Sequence, residues 1–220
     1  MRTIAFASLA ALALTTAGCA GSSAKVVSSG GALPVRAVEQ APAHGPLPRI
    51  AVSAFELRSG QGSREIGDGM TDMMTDALVN TGRFIVLERE RLGEVMAEQD
   101  LANSDRFARD TAAPKGELEG AQWLVRGSIT QFEPKCAGGS LIVASSNQAC
   151  LAVNIRIVDA RSGRVLSATT VEGKAGKGSV GLVFTGELPI GLGAYRKTPL
   201  EAAIRECIEL AVKHVVETKL

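Results

Sequence analysis

RIAVSAFELRSGQGSREIGDGMTDMMTDALVNTGRFIVLERER, residues Arg49–Arg91, decides the fold. It reads as strand, polar loop, helix, strand. Ile50, Val52 and Ala54 alternate with Ala51, Ser53 and Phe55, and neither set is charged, which predicts a strand covered on both faces. Ile66, Met70, Met73, Met74, Ala77 and Leu78 recur at helical spacing and predict a buried stripe. Asp68, Thr71, Asp72, Thr75 and Asp76 form its expected wet side. Gly82 stands where a left-handed cap ends a helix. The apolar run Phe84 to Leu87 is the next strand. Strand, crossover helix and strand within this span make one βαβ unit.

Upstream, the chain opens with an address. Arg2 precedes an apolar run from Ile4 to Leu14, too short to span a bilayer. Thr16, Ala17 and Gly18 lead to Cys19 in the manner of a bacterial lipobox, with Thr16 where Leu is usual. Residues 1–18 are read as a lipoprotein signal peptide and Cys19 as the acylated first residue of the mature chain. Several acyl chains on one residue give stable anchoring. Ala20, rather than Asp, follows the Cys, which favours the outer membrane. Residues 19–48 are read as the lipidated Cys and a tether rich in Ala, Gly, Ser and Pro, with His44 a solvated linker residue.

Downstream, Leu92, Val95 and Met96 predict a second helix over about 90–99, with those three residues on one side. Trp123, Val125, Gly127 and Ile129 alternate with Leu124, Arg126, Ser128 and Thr130; Leu151, Val153, Ile155 and Ile157 alternate with Ala152, Asn154, Arg156 and Val158. Asp159-Ala160-Arg161-Ser162-Gly163 is turn chemistry before a returning strand over 165–171. Thr198, Pro199 and Glu201 form a capping box for a last helix, with Leu200, Ile204, Cys207, Ile208, Ala211 and Val215 inward. The fold class is α/β of the mixed α+β kind, a mixed sheet flanked by helices.

Net charge is +1, with acids and bases interspersed and one Trp and one Tyr in 220 residues. A nucleic-acid interface needs a basic face, so no nucleic-acid partner is expected. Gly176 to Gly181 matches G-x-G-x-x-G, but strand-like alternation follows where the dinucleotide motif needs a helix. Glu88 and Glu90 sit among Arg89 and Arg91 as surface pairs. His44 and His214 are far apart in the chain. No catalytic, cofactor or metal residues are assigned, and the chain is expected not to be an enzyme.

The blocks RIAV (49–52), LVNTGRF (78–84), LERERL (87–92), EQDL (98–101), GAQWLVRGSITQFE (120–133), NIRIVDARSGRVL (154–166) and PLEAAI (199–204) together resemble the CsgG family, the curli secretion lipoproteins of the outer membrane. The resemblance implies a CsgG-like periplasmic domain over 49–220 and assembly into a homo-oligomeric ring. It implies export of adhesive or amyloid subunits with accessory periplasmic proteins. It also implies two Gly-rich hairpins, over 133–151 and 171–198, that give strands to an outer-membrane barrel. The clean apolar runs there are shorter than the about 9–11 residues a membrane strand needs. The loop 56–68 has no aromatic, so any pore constriction would be polar, lined by Arg58 and Arg64. In an oxidising periplasm Cys136 and Cys150 can close a loop of about 15 residues, worth roughly 3 kcal/mol. Cys207 is read as a small buried hydrophobe. The alternative reading is a periplasm-facing lipoprotein that regulates a cell-wall enzyme without forming a pore.

Overall fold

The computed structural model describes residues 23–28, 46–136, 148–176, 188–189 and 191–218. In chain order the elements are β1 (Ser23–Ser28), β2 (Arg49–Leu57), α1 (Arg64–Asn80), β3 (Ile85–Leu87), α2 (Leu92–Ala102), β4 (Trp123–Cys136), β5 (Gln148–Asp159), β6 (Val165–Ala175) and α3 (Pro199–Glu217). The strands form one mixed sheet in the order β1-β6-β5-β4-β2-β3. β2 is parallel to β3 and β4, and the other neighbours are antiparallel. The βαβ unit is present, with Ile50 level with Val86 across its parallel pair. Among the described residues the sheet does not close into a barrel.

α1 and α3 pack on one face. Their stripes meet Ile50, Val52, Val125, Ile129, Leu151, Val153, Ile155 and Val171 in a single core. Val125, Gly127 and Ile129 turn inward on β4 as the alternation predicts, while Arg126 and Thr130 are exposed. At the turn into β6 the Asp159 carboxylate accepts from the Ser162 backbone N–H and hydroxyl, each at 2.6 Å. Those bonds hold its pKa below the usual carboxylate range.

The second half of β2 departs from strict alternation. The β2–β4 register shifts between Ser53 and Glu56, so Phe55 joins the face of Ile50 and Val52 while Ala54 is exposed. On the other face Ala51 is buried, but from Ala54 onward that face is exposed, where cover on both faces was expected throughout. The Phe55 N–H, lost to the ladder, donates to Thr71 Oγ1 at 2.9 Å, and that hydroxyl donates to the Gly67 carbonyl at 2.9 Å. Thr71, expected on the wet side of α1, is buried for this reason.

The rest of the chain brings one placement and two corrections. α2 stands off the core: Val95 and Met96 are exposed, and only Ala102 at its end is buried. Three apolar positions in one turn and a half do not make a stripe that reaches the sheet. The stretch 19–48, expected as a tether throughout, contains β1, whose strand-prone Val26-Val27 pair lies in a segment that takes the free edge of β6. The capping box is not made. Thr198 Oγ1 donates to the Tyr195 carbonyl, and Glu201 accepts from the Lys197 N–H at 2.6 Å while pairing with Arg205 at 2.8 Å.

Candidate functional site

Four strand ends lie side by side at one end of the sheet. β4 finishes at Cys136 opposite the start of β5 at Gln148; Ala149 faces Ala175, where β6 finishes; and Ser23, where β1 starts, faces Lys174. Both candidate hairpins leave from here. Their tips, residues 137–147 and 177–187, lie outside the described residues, as do Cys19 and all of the G-x-G-x-x-G stretch but Gly176. Cys136 and Cys150 sit at this end with sulfurs 2.01 Å apart and Cα atoms 5.8 Å apart, both buried.

β4 to β6 project beyond β2. Arg58, just past the end of β2, donates its backbone N–H to the Ile129 carbonyl at 2.9 Å, well short of Cys136. The chain returns along the helix side of this projection at residues 191–198. Leu192 is fully buried, 193–195 form a single 3₁₀ turn, and the Tyr195 ring stands edge-on to Phe132 at 5.3 Å. Gly191, at φ +94°, is required because a Cβ would stand 2.3 Å from the Glu65 carbonyl oxygen. Residues 191–198 are thus packed coil and turn, not the barrel strand expected there. Pro189 and the close Glu65 contact take the place of strand pairing.

The two loop arginines named for a constriction each have a carboxylate partner of their own. Arg58 is held by Glu56 at 2.6 Å on the bare face of the sheet, and Glu56 also meets Arg126 at 3.3 Å. The guanidinium beside Glu56 holds its carboxyl below the usual range. Arg64 points to solvent beside Asp68 at 3.9 Å.

Two charged hollows were not anticipated. One, of about 450 Å³, lies on the bare face, lined by Glu56, Arg58, Arg126, Arg156, Asn154 and Thr170 among others. Arg126 and Arg156 are direct cross-strand partners. The other, of about 430 Å³, lies on the helix side, where α1 and the segment after β3 bring together Asp72, Asp76, Glu88, Arg89, Glu90 and Arg91. Burial, and then neighbouring carboxylates, push Asp72 and Glu90 up, with Arg91 opposing at 3.5 Å from Asp72. The alternation of β4 and β5 put both arginines on outer faces. Their pairing depends on register, which the sequence does not display.

Elsewhere, Cys207 is buried under Gly173, and burial pushes its thiol far up. His214 meets Ser167 Oγ at 2.8 Å, and burial lowers its pKa. No group of metal-ligating side chains occurs among the described residues. Among the same residues no helix is long and apolar enough to cross a membrane.

The family described as curli production assembly/transport component CsgG matches residues 33–220, most of the chain. The chain belongs to the CsgG family. Membership supports an envelope lipoprotein of secretion or assembly, and oligomerisation, for this CsgG-family chain. The hypothetical protein CT253 from Chlamydia trachomatis aligns at TM-score 0.51 and 12% identity, over 79% of this chain and 98% of that one. A PelC dodecamer from Paraburkholderia phytofirmans aligns at 0.41 and 10%, over 90% and 99%. Lipoprotein GNA1162 from Neisseria meningitidis aligns at 0.37 and 16%, over 60% and 86%. At such identities the likeness is one of fold alone. No curated protein sequence matches the chain.

Proposed function

We propose that this CsgG-family chain is an outer-membrane lipoprotein, acylated at Cys19, that acts as an oligomer in the secretion or assembly of curli-like adhesive subunits. Its domain faces the periplasm. The convergence of strand ends supports this reading. Cys19 lies four residues before Ser23, a reach of at most about 14 Å. An acyl anchor there would hold the end that carries both Gly-rich segments against the bilayer.

One observation favours the second reading, a tethered regulator of an envelope enzyme without a pore. The Cys136–Cys150 separation of 14 leaves 13 residues beyond the disulfide. Divided into two arms and a turn, that is about five residues per arm, against about 9–11 for a membrane strand. Membrane extraction of a Cys19→Ala chain, exported on a cleavable signal, separates the two. A pore-former stays in the outer membrane as a large oligomer and conducts in planar bilayers. A tethered regulator becomes a soluble periplasmic species. Recovery of the native chain unacylated in the cytosol would remove both.

A further inference from the structure

We infer that copies of this chain meet head to tail, the bare sheet face of one against the acidic groove of the next. This deepens the assembly reading above and rests on it. Among the described residues no helix packs on the bare face, since α1 and α3 both lie on the other side of the sheet. Its hollow carries Arg58, Arg126 and Arg156 against the single carboxylate of Glu56. Like charges directly opposite on neighbouring strands are destabilising, and Arg126 and Arg156 are placed so. Glu56 is shared between Arg58 and Arg126, while Arg156 makes no ion pair among the described residues.

The groove lies on the other side of the sheet, against α1. It carries Asp72, Asp76, Glu88 and Glu90 against Arg89 and Arg91. The hollows therefore hold net charges of two, opposite in sign, in nearly equal volumes of about 450 and 430 Å³. Charge complementarity selects a partner and fixes its register. Surfaces on opposite faces of one molecule cannot satisfy each other within it. They can do so between copies, as a heterologous contact that closes into a ring or continues as a filament.

The test uses the full lipid-bearing chain in detergent, with sedimentation velocity at low and high salt. The groove variant is Asp76→Lys with Glu90→Lys, both at exposed positions; the face variant is Arg126→Glu with Arg156→Glu. Arg156→Glu alone serves if the double change unfolds the chain, judged by circular dichroism. Each variant alone is expected to self-associate about tenfold more weakly than the native chain. Mixing the two restores assembly, because each then offers the surface the other needs, and combining all four changes in one chain restores it as well. Variants that assemble like the native chain, or losses that mixing does not rescue, overturn the inference and leave the assembly reading standing. A native chain monomeric at every concentration and salt overturns both.

Discussion

The Phe55 ring lies flat against the Cα of Gly127: a Cβ there would stand 2.3 Å from Phe55 Cδ1. The bulge in β2 turns Phe55 inward, and the missing side chain on β4 makes room for it. Gly127→Ala is expected to destabilise by about 1–3 kcal/mol through overpacking. Urea unfolding followed by circular dichroism measures it. An unchanged midpoint would mean that the ring moves aside freely.

Thr71 carries the second consequence of that bulge. Thr71→Val keeps the volume but strands the buried Phe55 N–H, at a cost of about 1–3 kcal/mol. Thr71→Ser retains the hydroxyl and is expected to lose less. If valine and serine were equally tolerated, the hydrogen bond would contribute nothing.

Glu206 on α3 is raised to about 7, by burial first and then by Glu209. Its Oε2 is buried without a partner among the described residues. A carboxyl favoured in its neutral form stabilises the fold at low pH and loses that contribution as pH rises from about 4.5 through about 7. Glu206→Gln is expected to be neutral at pH 4 and stabilising by about 1 kcal/mol at pH 8, after discounting for solvent screening. Thermal melts at the two pH values decide it.

His214 has the opposite sign. Burial favours its neutral imidazole, which meets Ser167 at 2.8 Å. Its contribution is complete above the ordinary histidine range and is lost as pH falls through the lowered folded value. The native chain is therefore expected to lose stability between pH 7 and pH 5 more steeply than His214→Gln. Parallel pH profiles would show that the ring stays solvated.

The disulfide gives a redox prediction. Replacing Cys136 and Cys150 by Ser is expected to cost about 3 kcal/mol by loop-closure entropy. Reductant should lower the native melting temperature to that of the variant and leave the variant unmoved. A melt insensitive to reductant would show that the bond is absent in solution.

The βαβ unit was legible because Ile66 to Leu78 keep helical spacing and Gly82, at φ +62°, ends that helix. The antiparallel strands were legible from alternation alone. Phe55 was misplaced because a bulge moves one residue between faces without altering composition. α2 was legible as a helix but its placement was not, because Val95 and Met96 have helical spacing whether or not anything covers them. β1 was hidden in a stretch of linker composition, since an edge strand draws its stability from a partner more than a hundred residues away. The charged hollows needed tertiary placement: Asp72 and Glu90 belong to different elements, and Arg126 meets Arg156 only through strand register.

The edges of the sheet carry a last implication. One is β3, three residues long, and the other is β1, taken from the N-terminal segment. An exposed strand edge is a template on which foreign chains can pair. A protein proposed to handle adhesive, self-stacking cargo is endangered by that cargo, because a long bare rim would let it be recruited into the fibre. With one rim stunted and β6 sheltered behind the chain's own leading segment, loss of β1 is the change that would turn the handler into a seed.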